Sequence, residues 1–404
     1  LYSRYRVKAG LRNDNGTGVK VGLTKICDVI GYKIIHEKKY NIDGQLIYRG
    51  YPINYLVNKQ PSDKICGFEE TAYLLIFGTL PNADQLKAFK DYLLNFKMGP
   101  VDLQYETPNI LNALQIEVLK LYAKDPSADT DDLEERMMKG LKILASIPLF
   151  TFSYARNKVF KSYPYPDRSL AENILCMARG NDQYTFEEAK IMDTLLMVHA
   201  DHGGGNNSTF ANVVISSTGT DIYSCISAAI GSLKGPKHGG ANCKVTNMFK
   251  AIFHEVGFTT DKATLKKIAN RILDKDFFDH SGLIYGIGHA IYTKSDPRAL
   301  LIHEQCEALA KSKGQEEIYN CIHAFEKVAI EVMKERKGID VCANVDYYSG
   351  YVYSLLGIES DLFTPLFAIS RTAGWVSHHL ENRQSNRKLI RPANVYVGEM
   401  EEIK

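Results

Sequence analysis

Along most of the chain apolar residues recur every three or four positions, which predicts helices rather than strands. Leu133, Met137, Leu141, Leu144 and Pro148 mark one such face. The run Asp131, Asp132, Glu134, Glu135 and Arg136 opens the same segment, and a solvated helix start explains it, since carboxylates favour the positive end of a helix. Thr185-Phe186-Glu187-Glu188 has the form of a capping box opening a helix that runs to about His199. The stretch 221–233 predicts a helix rich in small residues (Ser224, Cys225, Ser227, Ala228, Ala229, Gly231), a face that lets another helix come close. Further helices are predicted over 304–313 and 316–337. Clear β structure is predicted only near the N-terminus. There, 39–42 and 45–48 flank Asp43-Gly44, a pair that suits a hairpin turn. The expected fold class is therefore mostly α with a small N-terminal β-hairpin.

Composition bounds the function. A chain of 404 residues, 45% hydrophobic, can bury a full core and leaves room for two domains. With 49 basic and 47 acidic residues the net charge is +2, so no nucleic-acid partner is indicated. No apolar run reaches the roughly 20 residues of a membrane helix. The eight cysteines include no C-x-x-C pair and read as small core residues of a reducing compartment.

Chemistry concentrates in five places. The first is His199-Ala200-Asp201-His202 followed by Gly203-Gly204-Gly205, where a helix gives way to a loop that a ligand's atoms can approach closely. A plain helix end with nearby histidines explains it equally, and the spacing fits a zinc pair poorly. In the second, Lys237-His238-Gly239-Gly240-Ala241-Asn242, His238 stands beside a predicted helix start. The positive end there favours a neutral, hydrogen-donating ring suited to an oxyanion; a turn histidine without a task is the alternative. The third, Gly286-Ile287-Gly288-His289, runs on to Asp296-Pro297-Arg298. Asp296 would cap a helix, and Arg298 in its first turn calls for an anionic ligand or a local carboxylate. In the fourth, Asn344-Val345-Asp346-Tyr347-Tyr348, Asp346 is either a helix cap or a base in a partly apolar setting. The fifth is 362–381, where Arg371 has Phe367, Ala368, Gly374 and Trp375 as helical neighbours. Burial there would be costly without an anion, unless the side chain snorkels to solvent.

These five stretches, in this order, resemble the citrate synthase family, which includes 2-methylcitrate synthases. The likeness is strong from about His199 to Gly398, and Tyr48-Arg49-Gly50-Tyr51-Pro52-Ile53 extends it. The resemblance implies a two-domain helical fold: a large domain of residues 1–240 and 353–404, and a small domain of 241–352 that closes over the substrates. It implies that acetyl-CoA and oxaloacetate condense and that the citryl thioester is then hydrolysed. Asp346 would take a proton from the acetyl methyl group, His238 would donate to the thioester oxygen, and His289 would polarise the ketone. His202, Arg298, Arg371 and Arg391 would hold carboxylates. A homodimer is implied, with helices around 209–217 and 221–233 across the two-fold axis and Arg391 reaching into the partner's site.

No metal is expected, because the histidine spacing suits zinc poorly and the cysteines form no ligand pairs; the resemblance implies no tightly bound cofactor, with acetyl-CoA as co-substrate. The expected location is cytoplasmic, in keeping with the unpaired cysteines, or the mitochondrial matrix where a transit peptide has been removed. NADH inhibition of the larger bacterial type is not implied. Two departures stand out. Gly203-Gly204-Gly205 follows His202 where the family often has an acidic residue. Tyr292-Thr293-Lys294 lacks an arginine that in some members meets the CoA phosphates, a place Lys294 would take. The competing readings are a 2-methylcitrate synthase using propionyl-CoA and a metal-dependent hydrolase built on His199, Asp201, His202 and Asp346.

Overall fold

The computed structural model describes residues 4, 6–36, 38–99, 107–385 and 388–398. Its β structure is one three-stranded antiparallel sheet: β1 (Cys27–Ile35), β2 (Lys38–Tyr48) and β3 (Tyr51–Pro52). The hairpin exists, but not at Asp43-Gly44. Strand β2 runs straight through that pair, and the chain reverses between Ile35 and Lys38. The two glycines of this ribbon serve close approach instead. A Cβ on Gly44 would lie 2.2 Å from the Ser295 carbonyl oxygen, and one on Gly31 would lie 2.4 Å from that of Ile291. The Gly44 N–H donates to Ser295 Oγ at 3.1 Å. The ribbon thus carries segment 291–297 on its surface, with a register shift between Ile30 and Tyr32.

Helices make up the rest. The first half holds α1 (Ile53–Asn58), α2 (Gly67–Phe77), α3 (Ala83–Leu94), α4 (Ile110–Ala123), α5 (Leu133–Ala155), α6 (Leu170–Arg179) and α7 (Phe186–His199). After these come α8 (Asn207–Ser216), α9 (Ile222–Leu233), α10 (Ala241–Val256), α11 (Lys262–Leu273), α12 (Pro297–Ser312), α13 (Glu316–Lys337), α14 (Val345–Leu355) and α15 (Phe363–Gln384). Helix α5 starts where the acidic run predicts, with Asp132 accepting from the Glu135 N–H, and it continues through Pro148. The capping box at Thr185 opens α7, which ends at His199. The two separately read features at 296–298 and 304–313 are one helix, α12, capped by Asp296. At α14 the cap is Asn344, and Asp346 lies inside the first turn.

Small residues bring helices together as their spacing predicts. A Cβ on Gly231 of α9 would sit 2.5 Å from Gln115 Nε2 of α4. A Cβ on Gly374 of α15 would sit 2.5 Å from the Ala200 carbonyl oxygen, so the middle of α15 lies directly against the end of α7. Helix α15 is buried along most of its length, with Trp375 and Arg371 among the largest fully enclosed side chains. Among the described residues no helix is long and apolar enough to cross a membrane.

Candidate active site

Two walls face each other. One is formed by the loop after α7, the turn before α10 and the inner face of α15. The other is formed by segment 286–298 and the start of α14.

On the first wall Arg371 is fully buried and does not snorkel. Its Nε donates to the His199 carbonyl at 2.6 Å, while Nη1 and Nη2, equally buried, have no partner. Its guanidinium lies 4.6 Å from the centre of the Phe367 ring, which also packs edge-on against His199 (4.7 Å) and His238 (6.4 Å). His202 is 7% exposed and its Nε2 is buried and unpartnered. Burial, with Arg298 and His289 beside it, holds the His202 pKa well below the usual histidine range.

His238 receives the Ser208 N–H on Nε2 at 3.3 Å, and Trp375 Nε1 fixes the Ser208 hydroxyl at 3.2 Å. With Nε2 accepting, a neutral ring carries its proton on Nδ1. Burial lowers the His238 pKa to about 4, helped by Arg371. The neutral ring expected from the sequence is therefore present, but burial and a cation lead its causes rather than the nearby helix start. In the sequence Ser208 is visible only as the end of the pattern His199-x-x-His202-x-x-x-Asn206-x-Ser208, which gives it no role of its own.

On the second wall Gly286 (φ 81°) and Gly288 (φ 98°) take left-handed backbone that other residues rarely adopt. They curl the loop so that His289 Nδ1 accepts the N–H groups of Ile291 (3.1 Å) and Tyr292 (3.2 Å). The neutral ring then bears its proton on Nε2. Burial, followed by Arg298, lowers its pKa to about 4. The His289 ring stacks on Tyr292 at 4.7 Å and meets His202 edge-on at 5.2 Å, so the two walls touch through these histidines.

Arg298 resolves toward the local-carboxylate alternative. Nε and Nη2 grip Asp296 at 3.0 and 2.7 Å, with both side chains buried. Asp296 also accepts the Val345 N–H at 3.2 Å, tying α12 to the start of α14. Asn344 adds a second tie, donating to the Gly288 carbonyl (2.8 Å) and accepting from the Asp346 N–H (3.0 Å). The sequence reading missed this bracing by Asp296 and Asn344, because a cap residue looks alike whether or not it has a second partner. Asp346 is recessed, and burial raises its pKa from 3.8 to about 6 against the opposing pull of Arg298 and Arg371.

Two residues read from the sequence stand apart from this cluster: Lys294 is exposed on its loop, and Arg391 is exposed on the C-terminal segment. Two donors of a metal-hydrolase reading are each engaged through one atom, with His199 Nε2 and Asp201 Oδ1 left without a partner. His199 Nδ1 bonds the Leu195 carbonyl at 2.7 Å, and Asp201 pairs with His378 at 2.9 Å. Among the described residues no three His, Cys, Asp or Glu side chains gather as metal donors.

Neutral imidazole donors, a carboxyl of raised pKa and buried unpaired cationic nitrogens define an acid–base site for an anionic substrate. Comparison with known proteins agrees. A family model described as citrate synthase, C-terminal domain, matches residues 13–393. The chain is 37% identical over 386 residues to a citrate synthase of Haloferax volcanii, covering 91% of this chain and 94% of the relative. It is 33% identical over 366 residues to 2-methylcitrate synthase 1 of Corynebacterium glutamicum, covering 87% and 89%. The Thermoplasma acidophilum citrate synthase, solved in a ternary complex with carboxymethyl coenzyme A and oxaloacetate, superposes with a TM-score of 0.80 at 26% identity, covering 98% and 97%. The chain belongs to the citrate synthase family.

Proposed function

We propose that this enzyme condenses acetyl-CoA with oxaloacetate and hydrolyses the resulting citryl thioester to citrate and CoA. The observation that carries this reading is the pair of buried, unpartnered donors, His202 Nε2 and the terminal nitrogens of Arg371, opposite a carboxyl of raised pKa. Buried donors without acceptors are costly unless a ligand completes them, and oxaloacetate brings two carboxylates. In this reading Asp346 removes a methyl proton of acetyl-CoA while His238 Nδ1–H donates to the thioester oxygen. A thioester α-proton is too weakly acidic for a carboxylate alone, so both are needed. The enol then attacks the oxaloacetate ketone, polarised by His289 Nε2–H. His202, Arg298 and Arg371 hold carboxylates, and Lys294 takes the CoA phosphates. Residues 241–352 move as a closing domain, which keeps water out until the carbon–carbon bond has formed.

Arg391 acts in this scheme from the second subunit of a homodimer. In support, it is exposed in its own chain. Mixing Arg371→Ala with Arg391→Ala chains tests the shared site. Heterodimers carry one intact site and recover up to about half of the activity per dimer by symmetry. Heterodimers seen by native mass spectrometry without recovered activity would refute it.

The existence of 2-methylcitrate synthases at 33% identity keeps propionyl-CoA as a second reading. Discrimination over one methylene is worth only about 1–3 kcal/mol. Steady-state thiol release with oxaloacetate, using acetyl-CoA and propionyl-CoA side by side, decides between them. Absence of oxaloacetate-dependent release with either thioester would refute the condensation.

A further inference from the structure

The β1–β2 ribbon meets the active site at one irregular spot. Between Ile30 and Tyr32 the ladder changes register, so that Ile42, Asp43 and Gly44 of β2 stand opposite Gly31 of β1. Such a bulge leaves backbone groups off the ladder. Here the Gly44 N–H turns to Ser295 Oγ at 3.1 Å, and that hydroxyl donates in turn to Asp43 Oδ1 at 3.4 Å. Neither Gly31 nor Gly44 has a positive φ, so what the two glycines supply is space rather than an unusual backbone.

Segment 291–297 occupies that space. A Cβ on Gly31 would meet the Ile291 carbonyl oxygen at 2.4 Å, and one on Gly44 would meet the Ser295 carbonyl oxygen at 2.2 Å and Tyr292 Cδ1 at 2.7 Å. The two carbonyls are backbone and cannot yield as the end of a flexible side chain would. Tyr292 is fully buried, and its hydroxyl donates to the Gln45 carbonyl at 3.3 Å. The residues seated on the ribbon are also the ones that hold His289. The Ile291 and Tyr292 N–H groups fix its Nδ1, at 3.1 and 3.2 Å, and the Tyr292 ring stacks on the imidazole at 4.7 Å with 25° between the planes. Any shift of this segment therefore turns the imidazole and swings its Nε2–H.

On the reading that His289 Nε2–H meets the oxaloacetate ketone, we propose that the ribbon is the platform that aims it. Gly31, Gly44 and Tyr292 are positioning residues for the polarisation of the ketone. A methyl group at Gly31 moves the ketone's partner and leaves the carboxylate-holding arginines in place, so the loss falls on the chemical step. Gly31 is the cleaner of the two glycines to change, because a Cβ on Gly44 would also lie 3.0 Å from Pro297 Cδ, one residue before Arg298.

Kinetics and infrared spectroscopy on the intact enzyme, with oxaloacetate carbon-13-labelled at the ketone, test this. The stretching frequency of a ketone falls as a donor polarises it, so the isotope-edited band of the bound ketone reads the His289 hydrogen bond directly. Gly31→Ala should lower kcat by about 10–10²-fold, the cost of misplacing a catalytic group by about 1 Å. It should also return the bound ketone band toward that of free oxaloacetate. The KM for oxaloacetate should change far less than kcat, as for an interaction that strengthens in the transition state. If Gly31→Ala does not fold, Tyr292→Leu removes the stacked ring and should produce the same changes, and Tyr292→Phe, which keeps the stack, should recover most of the loss. Variants with wild-type kcat, or a lowered kcat with the bound ketone band unmoved, would overturn the proposal. Wild-type enzyme without oxaloacetate-dependent thiol release would bring down the condensation as well, whereas wild-type turnover beside such variants would bring down the platform alone.

Discussion

The two walls of the active site each bury an arginine, and they do so in opposite ways. Arg298 is satisfied before any ligand arrives: Asp296 takes two of its nitrogens, and the same carboxylate braces α14 through the Val345 N–H. Arg371 is left incomplete, with two terminal nitrogens buried and unbonded and only Nε fixed, on a backbone carbonyl. One cation is therefore anchored in its wall before it meets a substrate carboxylate, and the other is a stored demand for an anion. The difference teaches how to read a buried charge. Its partner list, more than its burial, says whether it also serves the fold. The Asp346 carboxyl feels the pull of both.

The largest expected effect is on the group the two arginines share. Asp346→Asn should lower kcat by about 10²–10⁴-fold, the usual worth of a general base, while oxaloacetate still binds. Thiol release in steady state, with oxaloacetate affinity measured separately by calorimetry, checks both halves. A variant keeping more than a tenth of the wild-type rate would remove Asp346 from the role of base.

The contrast between the arginines is broken next. Arg371→Met should weaken oxaloacetate binding by more than tenfold, about 2 kcal/mol or more for a lost charge-assisted partner, and leave the apo-enzyme as stable as before or more so. Arg298→Met should destabilise the apo-enzyme by about 3–5 kcal/mol, because Asp296 is left buried and ionised without its cation. Adding Asp296→Asn to Arg298→Met should return part of that loss. Thermal and denaturant unfolding without ligand reads these directly. Equal destabilisation by the two arginine variants would mean that Arg371, too, is a structural ion.

Much of this was legible in the sequence, and the failures share a cause. The helical periodicity, the capping box at Thr185 and the small-residue face around Gly231 report local or pairwise rules, and the fold obeys them. Asp43-Gly44 failed because glycine serves tight turns and close approach alike, and only the tertiary position of Ser295 decides which. His199, His202, His238, His289, Arg298, Asp346 and Arg371 were legible as chemistry-bearing positions. The way they are held was not. Asp296 and Asn344 make their decisive second bonds to segments that come together only in the folded chain, and nothing in their own neighbourhood signals it.

The smallest expected effect is a shift of the pH profile, and it separates the walls most finely. Asp346 works only when ionised, so kcat/KM should fall tenfold per pH unit below about 6, where its carboxyl titrates. His238 and His289, held near 4, stay neutral through this range, so the limb should have a slope of one. Both arginines pull the Asp346 pKa down, Arg298 more than Arg371, and Asp296 pushes it up. Arg298→Met should therefore move the acid limb to higher pH, Arg371→Met should move it the same way by less, and Asp296→Asn should move it to lower pH. Stability follows the same group with its own sign. A carboxyl whose folded pKa is raised contributes fully below its unfolded value of 3.8, and that contribution is lost as pH climbs through about 6. Asp346→Asn should consequently gain stability over wild type between pH 4 and 6, on the order of 2 kcal/mol, and hold that gain above. Unfolding midpoints across pH 4–8, set beside the rate profiles of the arginine variants, measure both. A limb that ignores Arg298 but follows Arg371 would invert the comparison, making α15 the wall that tunes the base.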